Sequence, residues 1–139
     1  MKTIEFKDKL SQIEIIINLY GKFNIIDGDS GTGKTFLYEL KNTICINTDT
    51  LKAWELAGNV EDSFKNILKN SADTLIIIDR ADEIFRTNEN ILNIICVDDS
   101  SNIFLMFTRT SIFVQDITTW HNVEYDKENS KLTVEPVFD

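Results

Sequence analysis

Apolar positions along this chain fall into two patterns, short runs and helical stripes, and these divide it into elements. Residues 3–7 (TIEFK) and 12–18 (QIEIIIN) partly alternate apolar with polar, the period of a half-buried strand, and the turn-like DKLS between them makes a hairpin. Phe23-Asn24-Ile25-Ile26-Asp27 and Thr43-Ile44-Cys45-Ile46-Asn47 are short strands. Leu75–Ile78, closed by Asp79, and Asn102–Phe107, closed by Thr108 and Arg109, are continuous apolar runs, the pattern of strands buried on both faces. Helical stretches lie between them. Phe36–Lys41 begins one, and Asp49 opens TLKAWELA as an acidic N-cap with Gly58 as its stop. Asn59 caps another, whose Val60, Phe64, Ile67 and Leu68 share one face, and Ala81–Phe85 and Glu89–Val97 are helical as well. Asn122–Asp126 and Lys131–Val137 form a closing hairpin, with Pro136 expected to keep the last strand at an edge.

Strands alternating with helices imply a parallel sheet covered on both faces, with ligands at the C-terminal ends of its strands. At 139 residues, 1–139 is expected to be a single domain. The start MKTIEFKDKL has no apolar signal-peptide core and no run reaches membrane-spanning length, so a cytoplasmic protein without membrane partners is expected. A net charge of −9 argues against non-specific nucleic-acid binding. Cys45 and Cys96 sit in apolar runs without metal-ligand spacing and read as small buried hydrophobes, and His121 as a loop or strand-end residue.

Chemistry concentrates in residues 28–35, GDSGTGKT, which fit the phosphate-binding pattern G-x-x-x-x-G-K-[ST] between a strand and a helix. Gly28, Gly31 and Gly33, with Asp29, Ser30 and Thr32 between them, allow successive backbone N–H groups to turn inward around a polyphosphate. Lys34 supplies a mobile positive charge for the outer phosphates, and the Thr35 hydroxyl suits Mg²⁺. Asp79, delivered by a buried strand, is the companion carboxylate for the metal. ATP (or ADP) with Mg²⁺ is therefore the expected ligand.

With these motifs in place the chain resembles the additional-strand group of P-loop ATPases, in particular the AAA-type and STAND nucleotide-binding cores. LIIIDRADEIF is similar to their Walker B motif and FLMFTR to the strand-four motif of STAND proteins. The resemblance implies an α/β three-layer P-loop NTPase fold. Its sheet would be five-stranded and mostly parallel, in the order 5-1-4-3-2, and the two hairpins read from the residues would be N-terminal and C-terminal β-hairpin additions to it. It also implies Thr108 and Arg109 as sensors beside the γ-phosphate.

One departure bears on catalysis. AAA-type proteins carry Glu directly after the metal-site Asp, and this chain carries Arg80, which cannot act as a base at neutral pH. Asp82 and Glu83 follow, and Glu83 is the expected base. The function that fits is a slow Mg²⁺-dependent ATPase that couples nucleotide state to a protein partner, a homo-oligomer or a conformational change. The alternatives are a non-hydrolysing ATP switch and a small-molecule kinase using Asp49 as base. No N/T-K-x-D stretch follows residue 100, which argues against a GTPase, and Tyr20, Trp54 and Trp120 are the aromatic candidates for covering a base.

Overall fold

The computed structural model describes residues 2–9, 11–27, 42–109 and 118–137. The elements run β1 (Lys2–Lys7), β2 (Glu14–Leu19), β3 (Phe23–Asp27), β4 (Thr43–Ile46), α1 (Thr48–Ala57) and α2 (Val60–Asn70). They continue with β5 (Leu75–Ile78), α3 (Ala81–Thr87), α4 (Glu89–Cys96), β6 (Ile103–Thr108), β7 (Thr118–Asp126) and β8 (Lys131–Val137). The glycine-rich stretch Gly28–Thr35 and the helix expected from Phe36 lie outside the described residues.

The eight described strands form one sheet in the order β1-β2-β8-β7-β3-β6-β5-β4. From β7 to β4 every pairing is parallel. Beyond β7 the sheet is mixed: β7–β8 and β1–β2 are antiparallel, while β2–β8 is parallel. This corrects the expected three-layer fold on a mostly parallel five-stranded sheet. The order 5-1-4-3-2 describes only the stretch from β7 to β4. The two hairpins are not additions beside that stretch; they pair with each other through β2 and β8, and the resulting mixed sheet curls into a half-barrel.

The packing explains the difference. The central strands are apolar on both faces, so each face must be covered. Phe23, Ile25, Ile76, Ile78, Phe104 and Met106 lie under the helices, against Leu51, Phe64, Leu68, Ile84, Phe85, Ile91 and Ile95. On the opposite face Ile26, Leu75, Ile77, Leu105 and Phe107 meet Ile15, Ile17 and Leu19 of β2 and Leu132 and Val134 of β8. Among the described residues, helices cover one face and the sheet's own curled end covers the other. Full burial of one such side chain contributes roughly 1.5–3 kcal/mol, so closing the curl is strongly favoured.

Pro136 is corrected along with the hairpin. β8 is an interior strand, flanked by β2 and β7. Its ladder with β2 runs from Glu14↔Lys131 to Ile17↔Val134 and stops before the proline, so the missing N–H interrupts no bond to β2. The cap of α1 moves too. Asn47, not Asp49, accepts the amide of Thr50 at 2.9 Å, and Thr50 Oγ1 accepts the Asn47 amide in return, a reciprocal cap. Gly58 ends α1 in the left-handed region at φ 75°, where a Cβ would be strained. No described helix is long and apolar enough to cross a membrane.

Polar groups fix the opposite end of β3. Asn24, fully buried, accepts the Tyr20 amide at 2.9 Å and donates to the carbonyls of Gly21 and Phe104. Lys22 pairs with Asp98 at 2.8 Å, bonds the carbonyls of Ser100 and Asn102, and lies over the Phe104 ring. The turn between β2 and β3 is thereby tied to the start of β6.

Candidate functional site

The connections from β3 and β6 diverge. β3 leads to β4 at one edge of the sheet, whereas β6 leads to β7 on the far side of β3. β3 and β6 are parallel neighbours whose connections part, so their C-terminal ends form a topological switch point, the place at which open parallel sheets bind ligands.

Register decides which residues stand there. Asp27, the last residue of β3, faces Thr108, and Ile78 of β5 faces Met106. Asp79 follows Ile78, half-buried, its amide donating to the Ile46 carbonyl at 2.9 Å. Thr108 is buried. Asp79, Arg80, Thr108 and Arg109 are therefore brought to one edge, although their segments are far apart in sequence. The described chain stops, at Asp27, immediately before Gly28; the positions proposed for phosphate contact, Gly28 to Thr35, lie outside the described residues.

Arg80 has an unusual backbone. Its φ of 51° and ψ of 51° are left-handed, and its carbonyl accepts the amides of Glu83 and Ile84 that start α3. For a residue with a Cβ this conformation costs roughly 1–2 kcal/mol, and such strain gathers at functional sites.

Arg80, Asp82, Glu83, Arg86 and Arg109 line one cavity of about 260 Å³. These are all three arginines of the chain, otherwise rich in acid. Arg80 Nη1 lies 3.8 Å from Glu83 Oε2, with side chains 48% and 45% exposed. A pair this open and this long contributes about 0–1 kcal/mol. Arg80 therefore holds Glu83 only weakly.

The expected site residues separate into groups. Glu83 and Arg109 line the cavity; Asp79 and Thr108 share its edge of the sheet but not its lining. Asp49 is an exposed residue in the first turn of α1, beyond β4 on the same edge. Tyr20 precedes β3 and so stands at the opposite edge, away from the switch point. Trp54 packs edge-on against Phe64 at 6.3 Å, and Trp120 packs against the helix-covered core, so neither is a free stacking platform. Arg86, which the sequence pattern does not mark as a site residue, lines the cavity as well. Around an ideal helix, positions 80 and 86 are roughly 120° apart, and the left-handed turn at Arg80 removes that constraint.

The remaining candidates are structural. His121 is an interior β7 residue, not a loop or strand-end one; it is buried, and Nδ1 meets the Thr119 carbonyl at 3.1 Å. Burial holds its pKa below the ordinary imidazole value, partly offset by the backbone of Ile25, Thr119 and Asn18. Cys45 and Cys96 are half-buried, and desolvation raises the Cys96 thiol. Among the described residues no group of three or more His, Cys, Asp or Glu side chains is placed to hold a metal ion. No known protein family matches the sequence, and no curated protein matches it.

Proposed function

We propose that this chain binds ATP with Mg²⁺ through Gly28–Thr35 and Asp79, and that it hydrolyses the nucleotide slowly, passing its state to a protein partner or a second copy. One observation carries this reading: β3 ends at Asp27, at the switch point, and the phosphate-binding pattern begins at the next residue, with Asp79 directly after the next strand but one. Backbone N–H groups of Gly28–Thr35 surround the phosphates in this scheme, and Lys34 neutralises the outer ones.

The donor set fits Mg²⁺. Thr35 would offer a hydroxyl and Asp79 a half-buried carboxylate, both hard oxygen ligands. When bound, the ion would offset negative charge on the phosphates. Thr108 and Arg109 stand at the end of the neighbouring strand to sense the terminal phosphate, and Glu83 is the base that orients the attacking water.

The Arg80–Glu83 contact favours a second reading, an ATP-bound switch that does not turn over. Glu83 Oε2 is turned toward Arg80 Nη1 at 3.8 Å, so the carboxylate expected to orient water faces a cation instead, and that arginine is the neighbour of Asp79. Calorimetric titration of ATP–Mg²⁺ into wild type and Lys34→Ala tests binding. Saturable binding abolished by the substitution is expected, and equal, undetectable binding in both ends the ATP reading. Phosphate release separates the two forms. A slow ATPase loses at least tenfold in turnover with Glu83→Gln while keeping its ATP affinity, whereas a switch has no turnover to lose.

A further inference from the structure

We propose that the cavity lined by Arg80, Arg86 and Arg109 is a binding site for a phosphate-class oxyanion. The assignment does not depend on ATP binding by Gly28–Thr35. Arginine is the residue suited to such a group, because its planar fork of N–H donors matches phosphate oxygens and stays charged at every physiological pH. This chain has three arginines, from β5–α3, the end of α3 and the end of β6, and the fold gathers all of them around one space. All three residues are exposed, and the Arg80 side chain, in contact with Glu83, is 48% exposed. One of them takes a left-handed backbone to stand there.

The same cavity tells phosphate from carboxylate. Asp82 and Glu83 already supply carboxylates to it, and Glu83 lies only loosely against Arg80 at 3.8 Å. A ligand must outcompete those groups. A side-chain carboxylate brings no more charge than Glu83 already does. A phosphate dianion carries close to twice the charge and three acceptor oxygens, enough to engage more than one guanidinium at once. Two sources share this chemistry, the terminal phosphate of a nucleotide and a separate phosphorylated small molecule.

The test is calorimetric titration of inorganic phosphate into the full chain at low ionic strength, alongside Arg80→Asn, Arg86→Gln and Lys34→Ala. Asparagine accepts the left-handed backbone, and Arg86 is exposed, so both arginine variants fold. Saturable binding is expected in wild type, at least tenfold weaker in each arginine variant and within twofold of wild type in Lys34→Ala. ATP and ADP then identify the source. If the nucleotide's terminal phosphate fills the cavity, Arg86→Gln weakens ATP at least tenfold and ADP less than twofold. If a separate phosphate compound does, the substitution changes neither, and phosphate still binds with ATP present. Absence of saturable phosphate binding in wild type overturns the proposal. So does binding that survives both arginine substitutions, or binding that is lost only with Lys34.

Discussion

His121 sits where β7 changes partners, pairing with Ile26 of β3 on one side and Pro136 of β8 on the other. Its Nε2 is buried without a hydrogen-bond partner. A charged ring is penalised there, so the folded pKa lies below the unfolded value near 6.5. The stability this neutral histidine provides is complete above that value. It is lost as pH falls through the window down to the depressed folded pKa, because only the unfolded chain takes up the proton. The slope reaches about 1.4 kcal/mol per pH unit. Urea midpoints at pH 7.5, 6.5 and 5.5 are expected to fall for wild type and to stay level for His121→Leu over the same range. Asn24 supports a second expectation at this scale. Removing its buried side chain takes away its hydrogen bonds to the Tyr20 amide and the Phe104 carbonyl, so Asn24→Ala is expected to destabilise the fold by about 2 kcal/mol in chemical unfolding.

At the scale of elements, α1 depends on its ends more than on its stripe, since Leu51 is its one buried residue. Asn47→Ala removes the reciprocal cap and is expected to reduce stability by about 1 kcal/mol, whereas Asp49→Ala, outside the cap, changes it by less than half as much; thermal midpoints distinguish the two. The positions of the strands and helices were legible because each carries its own periodicity: LIII and IFLMF need burial on both faces, and VEDSFKNIL has one apolar stripe. The partners of the hairpin strands were not. Alternation in β2 and β8 reveals which side chains point inward, but a sheet neighbour is chosen by tertiary closure, and nothing in KLTV names EIII as its mate. The site was legible in the same uneven way. Asp79, Thr108 and Arg109 end apolar runs, which marks a strand's edge, while Arg86 lies in a short helix with no local sign that it faces Arg80 and Arg109.

For the whole molecule, β8 joins the two halves. Leu132 and Val134 touch the second core face, and the same strand pairs with β2 and β7. Leu132→Ala is expected to destabilise by about 2–3 kcal/mol. Because the strand is shared, the loss should be felt in β2 as well. Hydrogen exchange is the measurement: the amides of Ile15 and Ile17 should lose protection together with those of β8. An effect confined to β8 would mean that the hairpins are independently stable.

The β2–β8 ladder also sets an order of events during synthesis. Residues 14–17 leave the ribosome long before residues 131–134, their partners on that side among the described residues. At about 5–20 residues per second the interval is on the order of ten seconds. Throughout it β2 presents Ile15, Ile16 and Ile17 on a strand whose second edge is open, the kind of surface that recruits other chains. The finished protein conceals this strand in its interior; the growing one has to be kept apart from its neighbours until the final hairpin arrives.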